Sequence, residues 1–202
     1  VPGTRAAHVV VLGGGVAGFN AVAIASGLGA QVTVLDNNIA RLRELDAHYM
    51  GRVRTIASNS FEIERAVLDA DLVIGSVLVP GAKAPKLVTN ALVKRMRPGS
   101  VLVDIAIDQG GCFEDSRPTT HTDPTFTVHQ SLFYCVANMP GAVANTSTYA
   151  LTNATLPYVR SIAQSGWRDA MRSDAALAKG LNVHAGAVVN AAVARAHGLE
   201  VD

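Results

Sequence analysis

Charge is scarce in this chain. Charged side chains make up 16% of its 202 residues, against 49% hydrophobic ones. Soluble domains ordinarily carry more charge, so the shortage implies that part of the surface is covered by another segment or another subunit. Neither sign dominates: 17 Lys and Arg stand against 16 Asp and Glu, which gives no electrostatic footprint for nucleic acid or an acidic membrane surface. Cysteine is nearly absent. Cys112 and Cys135 fall in no metal-ligand spacing and read as reduced thiols in a cytoplasmic setting. No apolar run approaches 18 residues, and no charged start leads into an apolar h-region, so neither a transmembrane helix nor a signal peptide is expected. Internal repeats and low-complexity stretches are also missing.

What is present is organised around residues 8–36, HVVVLGGGVAGFNAVAIASGLGAQVTVLD. His8-Val9-Val10-Val11-Leu12 reads as a strand buried on both faces. A glycine turn follows, then an alanine-rich helix from about Val16 to Leu28, and a second strand from Gln31 that ends on Asp36. Gly13, Gly15 and Gly18 match G-x-G-x-x-G in its required context, between strand and helix, with an acidic residue about 20 positions on. Gly13 permits the tight turn, Gly15 lets a pyrophosphate approach the backbone, and Gly18 lets helix and strand pack closely. The helix N-terminus, at Val16, offers free N–H groups and a positive dipole end to the phosphates. Asp36 is placed to accept hydrogen bonds from the adenosine ribose. The stretch predicts dinucleotide binding.

Downstream, helical spacing over Ile39–Met50 precedes a short strand at 52–56. Ser60 is expected to cap a helix through Ala66-Val67-Leu68, its capping box completed by Glu62 or Glu64. Strands are expected at Asp71–Gly75, Ser100–Ile107 and Phe133–Ala137, with a helix over Thr89–Met96. This alternation predicts right-handed βαβ crossovers and a Rossmann-type doubly wound parallel sheet, with ligand outside the carboxyl ends of the strands. From Pro140 the segments 146–159, 161–172, 175–181 and 183–197 all read as helix. The boundary is therefore placed between a domain of residues 1–140 and a helical tail of 141–202. Asp108, in Asp108-Gln109-Gly110-Gly111-Cys112, has two readings: a carboxylate facing the nucleotide crevice, or a cap for the following turn.

Four runs carry a specific resemblance: VLGGGVAGFNA, ADLVIGSVLVPGAKAPKLV, VLVDIAIDQGGCFEDSRPTT and FYCVANMPGAV with NTSTYALTNATLPYV. Together they resemble the C-terminal half of the bacterial alanine dehydrogenase family, over essentially the whole chain. The related transhydrogenase subunit shares the glycine turn, but DIAIDQGG at 104–111 is similar to the dehydrogenase version. The resemblance implies NAD as cofactor, with Asp36 on the adenosine ribose and Arg41 beside the adenosine. Ser58, Val77 and Leu78 would line the adenine and ribose path. Ile105 to Asp108 would approach the nicotinamide ribose and ring, with Asp108 as the catalytic carboxylate. Arg117 would reach the cofactor, and Val136, Ala137, Asn138 and Met139 would close the nicotinamide side. It further implies that the tail is one part of a split substrate domain, that L-alanine, pyruvate and ammonia are the substrates, and that the protein is a homo-oligomer, a hexamer.

The family's substrate-binding arginine and lysine and its catalytic histidine lie in an N-terminal portion that this chain lacks. Val1-Pro2-Gly3 reads as a loop entered from elsewhere, so a longer polypeptide is expected. His8, His48, His121, His129, His184 and His197 are expected to be surface or packing residues. Ser165 stands where metal-binding members carry a histidine, so no metal is expected. Lys83 and Lys86 are expected in a solvated loop. NAD is expected over NADP because a 2′-phosphate beside Asp36 would juxtapose like charges at a cost on the order of several kcal/mol, although Arg41 could offset part of that. The alternatives are a non-catalytic NAD(H)-binding module and a transhydrogenase nucleotide-binding subunit.

Overall fold

A computed structural model describes residues 2–79 and 83–200. Val1 of the expected entry loop and residues 80–82 of the second resemblance run lie outside the described residues. Residues 2–79 with 83–137 form one compact unit, and residues 138–200 form a second.

The first unit is a seven-stranded sheet in the order β3-β2-β1-β4-β5-β7-β6. Its strands are β1 (His8–Leu12), β2 (Gln31–Asp36), β3 (Arg54–Ala57), β4 (Leu72–Gly75), β5 (Val101–Asp104), β6 (Thr125–Val128) and β7 (Ser131–Tyr134). Every pairing is parallel except that of β6 with β7. The doubly wound α/β architecture is as the sequence implies, with an antiparallel edge strand that the sequence reading missed. β6 alternates exposed threonines with half-buried Phe126 and Val128, and that half-polar pattern lacks the continuous apolar run of the central strands.

β1 shows why the centre is apolar throughout. Val9 and Val11 pack with Val22 and Ala25 of α1 (Val16–Gly27) and with Leu45 and Tyr49 of α2 (Ile39–Tyr49). Val10 and Leu12 point the other way, to Ile63 and Val67 of α3 (Ser60–Leu68) and Leu92 and Val93 of α4 (Asn90–Val93). Successive strand residues face opposite sides, so a strand covered by helices on both faces must be apolar at every position. The chain reverses its winding between β1 and β4, and the crevice opens at the carboxyl ends of these strands.

Several expected boundaries move. Asn59, not Ser60, caps α3, accepting from the Glu62 N–H at 2.9 Å; its amide reaches the third residue on as a serine hydroxyl would. Thr89 caps α4, which spans one turn rather than reaching Met96. The strand expected over 100–107 stops at Asp104, where the side chain turns back to accept from the Ala106 N–H.

The second unit is not wholly helical. A 3₁₀ turn over Met139–Val143 leads into α5 (Ala144–Ser173), which is broken at Gly166 (φ 75°, ψ 158°). α6 (Ala175–Ala178) is capped by Asp174, and α7 (Ala191–His197) by Asn190. Between them, where helix was expected from 183, β8 (Val183–His184) and β9 (Ala187–Val188) form a hairpin. Ala185 and Gly186 both have positive φ, 51° and 87°, as a two-residue primed hairpin turn requires.

Candidate functional site

The glycine turn is built by close approach. Gly13 has φ 98°, and a Cβ on it would lie 2.9 Å from the Ser76 carbonyl oxygen. A Cβ on Gly18 would lie 1.9 Å from the Gly13 carbonyl oxygen, so only glycine allows α1 to sit this close to β1. The Gly13 N–H donates to Leu35 O at 2.8 Å. Ser76, at the end of β4, donates its hydroxyl to Leu12 O and Gly13 O at 3.0 and 2.7 Å. Gly15 behaves differently. It is the N-cap of α1, with no side-chain cap, and a Cβ there would meet nothing within 4 Å. The helix start therefore faces open space with its first N–H groups uncapped, as a phosphate cradle needs.

Asp36 closes the other end of the turn. Its Oδ2 accepts from the Gly14 N–H at 2.7 Å and its Oδ1 from the Asn38 N–H at 2.8 Å. Arg41 donates from Nε to Gly14 O at 2.5 Å, and its guanidinium lies 5.3 Å from the Phe19 ring centre. Gly14 is thus held at both its N–H and its carbonyl. A Cβ on Gly14 would meet the Leu45 side chain at 2.8 Å, a requirement that G-x-G-x-x-G does not encode. The resulting cleft has a volume of about 830 Å³. Gly13, Gly15, Val16, Asp36, Arg41, Ser58, Val77, Leu78 and Ile105 line it.

The loop after β5 is organised by a residue the sequence reading passed over. Asp104 is fully buried, and its carboxylate accepts from the N–H groups of Ala106, Cys112 and Phe113 at 3.1, 2.9 and 3.3 Å. It also accepts from the Ser116 hydroxyl at 2.5 Å and from the Cys112 thiol at 3.6 Å. The capping role weighed for Asp108 belongs to Asp104. Asp108 sits on a 3₁₀ turn (Ile107–Gln109), exposed, and makes no hydrogen bond or ion pair among the described residues. Burial, and then the Asp104 charge, push the Cys112 thiol far above the ordinary thiol range, and burial also raises Cys135. Both are buried free thiols.

Lys86 is exposed, as expected of a solvated loop, but it is also bonded to the loop after β5. Its ammonium donates to Gly110 O, Gly111 O and Phe113 O at 2.5, 2.9 and 2.9 Å. Lys83 is exposed. Within the first unit, Gly18, Asp108, Arg117, Val136 and Ala137 do not line the cleft. Gly18 is buried beneath the turn. Arg117 stacks over Phe126 at 4.2 Å. Val136 is fully buried, and the Ala137 N–H donates to Thr119 O at 3.2 Å. Asn138, in the left-handed region, and Met139 open the second unit. Among the histidines, His8 bonds Thr33 through Nε2 at 2.9 Å, His48 packs against Phe19 and Tyr49, and His184 lies 5.1 Å from Trp167. His129 bonds the Asn90 side chain at 3.1 Å. These contacts tie four of the six to packing or surface polar contacts.

A strand, a glycine turn and an uncapped helix start, with a carboxylate at the tip of the neighbouring parallel strand, define a dinucleotide-binding domain of the Rossmann type. Comparison with known proteins narrows this. The family model described as alanine dehydrogenase/PNT, C-terminal domain, matches residues 1–191. Alanine dehydrogenase of Mycobacterium tuberculosis strain H37Rv is 66% identical over 194 residues, covering 96% of this chain and 52% of that protein. Alanine dehydrogenase of Halomonas elongata is 59% identical over 200 residues, covering 99% and 54%. A solved L-alanine dehydrogenase superposes with a TM-score of 0.86 at 53% identity, covering 98% of this chain and 55% of that one. A transhydrogenase from Sinorhizobium meliloti superposes with a TM-score of 0.74 at 28% identity, covering 94% and 51%. The chain belongs to the alanine dehydrogenase/PNT C-terminal domain family, and this is the family's NAD-binding domain. It spans about half the length of the curated relatives it matches.

Proposed function

We propose that this chain is the NAD-binding half of an NAD-dependent L-alanine dehydrogenase, which converts L-alanine and water to pyruvate and ammonia, reversibly. The observation that carries the reading is the open helix start at Gly15, joined by one cleft to Asp36. NAD, when bound, supplies the hydride acceptor. The α1 N-terminus binds its pyrophosphate, Asp36 the adenosine ribose, and Ser58, Val77 and Leu78 the adenine path. Asp108 serves as the carboxylate near the nicotinamide, with Ile105 orienting that end; the roles of Arg117 and residues 136–139 at the cofactor rest on the family resemblance alone. The base for the amine belongs to the remaining half of the enzyme. Residues 141–202 are proposed as one part of a split substrate domain, after a nucleotide domain of 1–140.

Assembly as a homo-oligomer, a hexamer, rests on the family resemblance, and exposed Ile24 of α1 and Leu28 at its C-cap are apolar surface that a further contact would cover. A cytoplasmic location is supported by the two free thiols. The transhydrogenase reading has weaker support, since identity falls from 53% to 28% between the two solved structures. Fluorescence titration with NADH and NADPH tests the cofactor assignment, and alanine-dependent NADH formation tests the activity. The chain alone is expected to bind NADH preferentially and to turn over no alanine. The full-length polypeptide is expected to be active. Absence of binding to either nucleotide would overturn the reading.

A further inference from the structure

The loop from Ala106 to Phe113 is gripped at both kinds of backbone group. Asp104 accepts its N–H groups at Ala106, Cys112 and Phe113. Lys86 donates to its carbonyls at Gly110, Gly111 and Phe113. An ammonium has three donors and no acceptor, so Lys86 spends its whole donor set on this one loop. Two backbone bonds reinforce the grip, Ala84 N–H to Gln109 O at 3.0 Å and Leu87 N–H to Cys112 O at 2.7 Å. A Cβ on Gly111 would lie 2.6 Å from Asp104 Oδ2, so the loop presses directly on the buried carboxylate. Asp108 lies on the crown of this loop, with no bond of its own among the described residues. Its place is set by the turn's own backbone bonds, Gln109 N–H to Ala106 O and Gly110 N–H to Ile107 O at 2.9 Å each, and by the anchors on either side.

We propose that Lys86 and Asp104 are positioning residues that fix the Asp108 loop against the nicotinamide end of the cofactor. This rests on the reading of the cleft as an NAD site and adds to it the device that holds the loop. The strap 83–88 contributes Pro85 and Leu87 to the same cleft that Ile105 and Ala106 line. One lysine thereby couples two segments that both contribute to that cleft. Hydrogen bonds from a charged donor are stronger than neutral ones, and a lysine at this position, unlike an apolar residue of equal length, ties the strap to the crown.

The test compares the wild-type chain with Lys86→Met, and with Asp104→Asn as the variant from the other side of the loop. Two measurements are made, amide hydrogen exchange over 106–113 and titration with NADH and with ADP-ribose, which lacks the nicotinamide. Faster exchange is expected at 106–113 with none at 13–36. NADH affinity is expected to fall about tenfold while ADP-ribose affinity holds, in line with the loss of charged hydrogen bonds. Unchanged exchange at 106–113 in both variants would overturn the proposal. So would equal losses for the two ligands, which mark a general structural role, or a wild-type chain that does not distinguish them. A wild type that binds neither ligand overturns the NAD reading instead, and the exchange comparison still decides whether the loop is clamped.

Discussion

Ser76 Oγ donates to the Gly13 carbonyl at 2.7 Å, and that same carbonyl oxygen stands 1.9 Å from where a Cβ on Gly18 would lie. One oxygen thus meets β4 on one side and α1 on the other. The nucleotide turn is a three-way junction, and its parts are expected to fail in different ways.

Gly18→Ala is expected to force α1 away from β1, because a methyl group cannot occupy that gap. Destabilisation of about 1–3 kcal/mol, typical of overpacking, should appear in urea unfolding together with loss of NADH binding. Gly15→Ala should separate the two effects. Its Cβ meets no protein atom within 4 Å, so the unfolding midpoint should hold while NADH affinity drops.

Ser76→Ala removes a buried donor to two carbonyls. A loss of about 1 kcal/mol is expected, the ordinary net value of a hydrogen bond, read as a lower urea midpoint at unchanged slope. A wild-type midpoint would mean that the hydroxyl does not secure the turn.

Asp36→Ala should narrow the NADH over NADPH preference by at least about tenfold in paired titrations. The like-charge conflict with a 2′-phosphate disappears, while Arg41 remains at the rim. The Gly14 N–H also loses its acceptor, so NADH affinity itself should weaken. An unchanged ratio would remove Asp36 from the ribose site.

Stability should decline in alkali. Cys112 is held protonated in the fold well above the ordinary thiol value of 9.0, mainly by burial. Once pH passes that ordinary value, the unfolded chain gives up the proton and the folded chain keeps it. The unfolded state then binds fewer protons, and unfolding free energy falls with rising pH. The slope should approach about 1.4 kcal/mol per pH unit for this thiol, with Cys135, also raised by burial, adding to it. Chemical unfolding at pH 8 and at pH 10 measures the decline, and Cys112→Ala should flatten it.

The parts legible in the sequence share a property: each follows from local backbone chemistry. The valines of β1 had to be apolar at every position, the glycines had to stand at the turn, and Asp36 ended a strand that could only run parallel. The misplaced parts depended on partners distant in sequence. Asp104 and Asp108 are two carboxylates four residues apart in one apolar-then-glycine context, and nothing local says which turns inward. The choice is made by Ser116, twelve residues on, and by the N–H groups of a loop that must first fold back.

Lys86 is exposed, as the sequence implies, but its bonds to the loop after β5 are not legible there. Its three carbonyl partners lie 24 to 27 residues away. The hairpin at 183–188 was hidden for a related reason. Two-residue strands leave no periodicity to detect, and Ala185 takes a left-handed conformation that alanine does not advertise. By itself the sequence determined the winding of the sheet and the nucleotide turn, because period and steric need are written residue by residue, and four of its runs carried the family resemblance. Only the tertiary structure decided which carboxylate is buried as an anchor and which is left exposed, because burial and hydrogen-bond partners belong to the folded chain as a whole.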